Sequence, residues 1–238
     1  MGGGAGVDSL FGQDGDDQLY GGGDNDFLYG SQGNDLNDGG AGFDSVSYLA
    51  STSGVFADAV NGGSLGDANG DTYVSIERYF GSQFDDVFLG STANETLYGY
   101  GGLDSLYGRQ GNDSLWGGAG EDSFGFDPSQ DGADVINDFV AGAGANEYIF
   151  IFGGDPNIDS FAEVMSFASN SGGNTVFNFG GGNILTVIGV TMGQFTPDDF
   201  DFNVTTTPQE PLEPGDYYGQ DYNPTDDVSA FYDFLEIG

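Results

Sequence analysis

Between Gly99 and Phe124 the chain reads GYGGLDSLYGRQGNDSLWGGAGEDSF, and a nine-residue pattern returns with Asp104, Asp113 and Asp122 in one slot and Leu106, Leu115 and Phe124 in another. A period this strict dictates an architecture, not a single element. Each unit is a six-residue turn, G-x-x-G-x-D, followed by a three-residue strand with a large apolar side chain at its centre. The turn glycines supply positive-φ backbone that a Cβ would oppose. One apolar residue on so short a strand cannot be buried alone, so successive units must coil and stack. Two units, eighteen residues, make one turn of a two-sheet solenoid with Leu, Leu and Phe inside. At the sheet edges the closing Asp and the turn carbonyls offer several oxygens and neither nitrogen nor sulfur. That donor set suits a hard cation with many ligands, Ca²⁺ first among them.

Charge points the same way. With 39 Asp+Glu against 2 Lys+Arg, the 238-residue chain carries a formal charge of −37, and Arg78 and Arg109 are its only cationic side chains. Such a chain repels nucleic acid and anionic membranes. At 37% hydrophobic residues and 45 glycines, little apolar burial offsets the entropy of ordering, so the metal-free chain lies near the disordered regime and folding is expected to depend on cations. There is no Cys for disulfides or thiolate sites, and no His, the usual zinc ligand and commonest general base. No apolar run approaches the ~20 residues of a membrane span. The N-terminus lacks the basic and apolar regions of a cleavable signal peptide, and Met1, two residues ahead of Gly3, reads as the start of an excised C-terminal fragment.

In the first block, residues 1–48, Asp8, Asp17, Asp26, Asp35 and Asp44 are spaced nine apart, with Leu10, Leu19, Leu28 and Val46 inward. Asn37 takes the inward slot of the fourth unit with Leu36 displaced by one, which predicts a locally irregular coil. Asp14 and Asp24 lie within turns and either add ligand oxygens or bond the local backbone. The period then breaks, because Asp44 to Asp86 is 42 residues, not a multiple of nine. Residues 49–80 read as a strand-rich insertion, with alternation over Gly54–Ala59 and Thr72–Tyr79. Between those strands Asp67, Asn69 and Asp71 form a D-x-N-x-D array resembling the start of an EF-hand loop, without its Gly or its closing Glu. It is either a polar turn or an accessory Ca²⁺ site.

The second block, residues 81–125, puts Asp86, Glu95, Asp104, Asp113 and Asp122 in the ligand slot and Phe88, Leu97, Leu106, Leu115 and Phe124 inward. Its first turns, SQFDD and STANE, lack the second glycine, which makes calcium at this leading edge less secure. Phe11, Tyr20 and Tyr29, and then Tyr98, Tyr107 and Trp116, follow the inward residues and predict two short aromatic ladders. They serve either cross-coil stacking or as a sugar-binding platform.

Residues 126–203 read as a β-rich cap over the solenoid's open end. Ser160-x-x-Glu163 predicts a capping box opening a short helix. Asn174–Phe179 and Ile184–Val190 flank GGGN as a hairpin, and Asp199–Phe202 reads as a last strand. Residues 204–238 form an acidic, Pro-containing tail ending in FYDFLEI, an apolar stretch that predicts docking on its own domain or on a neighbouring copy. No catalytic site is legible. G-x-S-x-G, a triad His and a phosphate-loop Lys are all missing, and carboxylate pairs among so many acids carry no weight unless they converge in a cleft.

The units GGAGVDSLF at Gly3 and GGAGEDSFG at Gly117 match the pattern G-G-x-G-x-D-x-U-x and resemble the calcium-binding nonapeptide repeats of the RTX (repeats-in-toxin) family. The resemblance implies an all-β fold, a parallel β-roll with a C-terminal β-rich cap containing a short helix. It implies several Ca²⁺ ions held between every second turn on the same edge, with the slot residues named above as ligands. DGADVINDF resembles the segment that closes many such rolls, where Asp134 and Asp138 contribute to a final calcium site. The resemblance also implies export by bacterial type I secretion machinery to an extracellular or cell-surface location, and the acid-plus-apolar end Asp233–Ile237 has the character of such export signals. Three functions remain open. They are a calcium-dependent folding and export module, a structural or adhesive unit that self-associates through roll edges or the tail, and an accessory glycan-binding module of a secreted polysaccharide enzyme.

Overall fold

The computed structural model describes residues 1–152 and 158–202. The expectations for the tail, its docking and its export-like ending, lie outside the described residues.

The strand Ser9–Phe11 runs parallel to Phe27–Tyr29 with Leu10 opposite Leu28, and Gln18–Gly23 runs parallel to Leu36–Ala41 with Leu19 opposite Asn37. Units nine residues apart therefore fall on opposite layers and units eighteen apart stack, which is a parallel β-roll. A ten-stranded sheet runs the length of the molecule, and the other layer is divided into a four-stranded and a seven-stranded sheet. Leu10, Leu19, Leu28, Val46, Phe88, Leu97, Leu106, Leu115 and Phe124, the inward residues of the sequence pattern, are all buried in one core.

The period breaks at residues 49–80, but the long sheet does not. Arg78–Phe80 lies parallel to both Ser45–Ser47 and Thr96–Gly101, so Val46, Tyr79 and Leu97 stack in register. The discontinuity is confined to the other layer. There Thr72–Val74 ends the four-stranded sheet against Leu36–Ala41, and Phe56–Asp58 pairs with Val87–Leu89 in the seven-stranded sheet, with Gly62–Leu65 antiparallel to it. Asn37 does not loosen its coil as expected. It is fully buried in register between Leu19 and Tyr73, with its amide nitrogen 3.5 Å from the Asp71 Oδ2 that also accepts the Tyr48 hydroxyl at 2.8 Å. A polar inward residue is tolerated where a polar group faces it.

One ion pair, alone among the described residues, ties the insertion to the second block. Arg109 forks onto Asp58, Nη1 to Oδ1 at 2.8 Å and Nη2 to Oδ2 at 2.9 Å, and also donates to the Gly90 carbonyl at 2.8 Å. Burial raises the Asp58 pKa, but bonds from Arg109, Asn61 and the Val60 N–H outweigh it and hold the carboxyl below its ordinary range. A depressed folded pKa contributes stability above the unfolded value of 3.8 and loses it as pH falls through the folded one. Arg109→Gln should cost about 3 kcal/mol, because it leaves a buried carboxylate without its counter-ion. Urea unfolding in saturating Ca²⁺ measures it, and a loss under about 0.5 kcal/mol would mean the pair behaves as a surface one.

The cap extends both layers. Asn183–Val187 adds parallel to Ala133–Ile136 and leads into the expected hairpin with Asn174–Gly180, while Tyr148–Ile151 and Phe200–Asp201 extend the seven-stranded sheet. The helix Phe161–Ser166 forms where expected, although Ser160 Oγ bonds the Glu163 carboxylate at 2.6 Å and not a helix N–H. Phe177 sits edge-on to Phe195 and Phe200 at the cap's centre. No described helix is long and apolar enough to cross a membrane.

Candidate metal centre

Each slot acid stands immediately before a strand, so coiling brings acids eighteen residues apart to the ~4.8 Å spacing of neighbouring strands. Their main chains lock the columns. Along the ten-stranded sheet the N–H of Asp8 donates to Asp26 Oδ1 (2.8 Å), Asp26 to Asp44 (2.7 Å), Glu95 to Asp113 (2.7 Å) and Asp113 to Asp134 (2.9 Å). On the other layer Asp17 donates to Asp35 (2.8 Å), Asp86 to Asp104 (2.8 Å) and Asp104 to Asp122 (3.0 Å).

In seven of the acids one carboxylate oxygen does this work and the other is left over, while Asp8 begins its column and Glu95 spends Oε1 on the Ser91 hydroxyl. Oδ2 of Asp8, Asp26, Asp35, Asp44, Asp104, Asp113, Asp122 and Asp134, and Oε2 of Glu95, are buried without a hydrogen-bond partner. Folded proteins rarely bury an acceptor this way, and for a charged one the cost is high. Nine such oxygens lie in matching positions along the columns, where a cation would satisfy them. The first glycine of each turn makes room for them. A Cβ at Gly99 or Gly108 would lie under 3.0 Å from Asp104 or Asp113 Oδ2, and Gly3, Gly21, Gly30, Gly81 and Gly117 stand in the same relation to the acid five residues on.

Burial, and then the charges of neighbours, push seven of these carboxyls up. Asp104 reaches about 8, Asp113 about 9 and Asp134 about 7, and Asp35, Asp44, Glu95 and Asp122 are also raised. Two like charges ~5 Å apart repel by about 3 kcal/mol even at an effective dielectric of ~20. Among the described residues no three His, Cys, Asp or Glu side chains converge on one point. A cation would therefore draw carboxylates from neighbouring coils and complete its shell with turn carbonyls, an all-oxygen set that fits Ca²⁺.

Three of the expected ligands differ from the rest. Asp17 is partly exposed. Asp86 spends both oxygens on the Ser82 N–H (2.5 Å), the Ser82 hydroxyl and the Val55 N–H, in the turn that lacks the second glycine. Asp138 accepts the N–H groups of Gly117 and Gly118. Asp134 joins Asp113 at one end of its strand while Asp138 lies over Gly117 at the other, so the pair finishes two different edges and does not form one final site. Nor does the D-x-N-x-D array converge. Asp71 turns inward to accept the Asp35 N–H (2.9 Å) and the Tyr48 hydroxyl, while Asp67 and Asn69 line a polar cleft of about 410 Å³ with Gln32, Asn34, Thr52 and Ser53.

Of the expected aromatic ladders, only partners eighteen apart meet. Phe11 stacks on Tyr29 at 4.5 Å, and Trp116 on Tyr98 at 5.9 Å, which continues to Phe80 at 5.1 Å. Tyr107 belongs to the opposite layer, where it is buried with Phe56, Leu89, Phe150 and Phe152. Nine-residue neighbours alternate between layers, which splits each expected ladder.

Asp71, Glu77 and Glu147 occupy slot positions that the period does not show, each directly ahead of a strand of the stack. Their available signal is an acid two residues before a large inward residue, Tyr73, Tyr79 or Ile149. A second ladder runs beside the slot acids. The residue just before the slot acid accepts an N–H from the adjacent coil, Asp85 from Leu103 (2.8 Å), Asn94 from Asn112 (2.8 Å) and Asn25 from Phe43 (3.0 Å), which accounts for the recurring ND and DD pairs.

Fold and site together define a calcium-binding parallel β-roll. Its repeats are RTX calcium-binding nonapeptide repeats, and the family model of that description matches four copies over residues 2–36 and 89–124. No curated protein matches the sequence. Among solved structures, the extracellular lipase LipA from Serratia marcescens is 22% identical with a TM-score of 0.37, over 82% of this chain and 40% of the lipase. A subunit of the Azotobacter vinelandii mannuronan C5-epimerase is 20% identical with a TM-score of 0.25, over 56% of this chain and 92% of its own. The chain thus spans well under half the length of the lipase it matches.

Proposed function

We propose that this chain is the calcium-dependent folding module of an extracellular bacterial protein exported by type I secretion machinery, and that it has no catalytic role of its own. The observation carrying this reading is the pair of carboxylate columns in which nine acids each keep one buried, unsatisfied oxygen. Extracellular modules bind Ca²⁺ with Kd of about 10⁻⁴–10⁻³ M, far above cytosolic free calcium. Inside the cell the columns repel themselves and the chain stays threadable, and outside Ca²⁺ binds only the folded state and stabilises it at every site. RTX repeats are typical of secreted bacterial proteins, which supports the location. The ligands in this reading are the ten slot acids of the two blocks with Asp134 and Asp138 of the closing segment, holding roughly six ions in the two blocks.

Calcium titration followed by circular dichroism tests the reading. Asp113 accepts from Glu95 and donates to Asp134, whereas Asp8 has only Asp26 beside it. Asp113→Ala should therefore raise the Ca²⁺ midpoint by about tenfold, the effect of losing ~1.4 kcal/mol, and Asp8→Ala by clearly less. Equal shifts, or a full β spectrum in metal-free protein at about pH 8 and low ionic strength, would end the proposal.

Self-association is a second reading with an observation in its favour. Gly2–Ala5 and Ser9–Phe11 are terminal strands of their sheets, and Phe11 beside them is 53% exposed. Open edges of this kind pair readily with another chain. Sedimentation with and without Ca²⁺ decides it, and a monomer under both conditions rules it out.

A further inference from the structure

In the ten-stranded sheet's column the step after Asp44 crosses the insertion, where there is no nonapeptide. The turn there is only Ser75–Glu77, between the strands Thr72–Val74 and Arg78–Phe80. Its backbone nevertheless reproduces three relations of a full repeat, although the Glu77 N–H turns back to the Asp44 carbonyl at 3.2 Å and not on to Glu95. The Asp44 N–H donates to Glu77 Oε2 at 2.8 Å, as Asp26 donates to Asp44. The Glu77 carbonyl accepts the Thr96 N–H at 2.8 Å, as the Asp26 carbonyl accepts that of Ser45. The Ser75 carbonyl stands over Gly39 in the place where the Gly39 carbonyl stands over Gly21. Ser75 adopts φ 51°, a left-handed conformation uncommon outside glycine.

Two acids at this step also carry the mark of a ligand. Asp44 is fully buried and its Oδ2 has no partner, and one coil further Glu95, 2% exposed, has the same unpartnered oxygen. Asp71, in the corresponding place on the other layer, differs because a tyrosine hydroxyl already satisfies its second oxygen. We propose that Glu77, with the Ser75 carbonyl, continues the column across the insertion and supplies a carboxylate to a Ca²⁺ position shared with the turn Gly39–Asp44. Calcium would then join the two repeat blocks into one cooperative stack.

This inference rests on the reading that the columns hold calcium, and native mass spectrometry with calorimetric Ca²⁺ titration separates the two. Glu77→Gln keeps an amide oxygen for the Asp44 N–H but removes the charge, and should bind about one ion fewer or weaken one step about tenfold. The same charge change at the exposed Asp198, Asp198→Asn, should leave count and midpoint unaltered. If Glu77→Gln fails to fold, Glu77→Asp, which keeps the carboxylate on a shorter arm, decides by whether its Ca²⁺ midpoint moves. Wild-type protein that binds no calcium overturns the reading of the columns. Normal wild-type binding with a Glu77 variant that titrates like wild type overturns only the junction site.

Discussion

Stripped of calcium in low-salt buffer at about pH 8, the protein is expected to lose most of its β signal and to recover much of it at about pH 4.5 with no metal added. Burial first, and then neighbouring charge, raise the folded-state pKa of Asp104 and Asp131 to about 8, of Asp113 to about 9 and of Asp134 to about 7. The unfolded value is 3.8. Between those limits the folded chain binds more protons than the unfolded one, so stability falls as pH rises. These carboxyls thus oppose folding at neutral pH and stop opposing it when protonated. The Asp58–Arg109 pair works in the opposite sense and weakens below about pH 4, which places the best metal-free stability just above that point.

Protons and Ca²⁺ compete for the same oxygens, so the Ca²⁺ midpoint should rise steadily as the pH is lowered from about 8 to 5. Near-ultraviolet dichroism from Trp116 and the packed tyrosines distinguishes a native acid form from a collapsed one that keeps only secondary structure. A metal-free protein that is folded at pH 8 and indifferent to acid would contradict the columns' role, as would a calcium midpoint that ignores pH.

Gly108→Ala should be nearly as damaging as removing Asp113 itself. Gly108 does not have a positive φ, so its backbone tolerates alanine and the effect is steric alone. The new Cβ would occupy the space of Asp113 Oδ2 and Cγ, at the carboxylate oxygen that no hydrogen bond satisfies. Overpacking of this kind costs about 1–3 kcal/mol before any loss of metal binding. The Ca²⁺ midpoint should therefore rise about tenfold, with a lower urea midpoint even at saturating calcium. Gly193 in the cap has open space around it and an ordinary φ, and Gly193→Ala should change stability by less than about 0.5 kcal/mol. Calcium binding by Gly108→Ala that matches wild type would show that the glycine is not shaped around the carboxylate.

The regular part of this molecule could be read from residues alone, because its determining contacts are themselves periodic. A glycine that would collide with the acid five residues later, an acid that accepts an N–H from the coil eighteen residues earlier, and an apolar residue two places on are all set by spacing. Hence Leu10 to Phe124 pointed inward and eight slot acids came to rest with a spare buried oxygen. What tertiary structure alone decided lies where position is defined by a neighbouring strand and not by distance along the chain. Glu77 enters the column 33 residues after Asp44 because Arg78–Phe80 pairs between Ser45–Ser47 and Thr96–Gly101, a relation no nine-residue count can express. Tyr107 went inside because its layer carries a second apolar cluster, and Asp134 and Asp138 parted because four residues of extended strand separate the two edges of a coil.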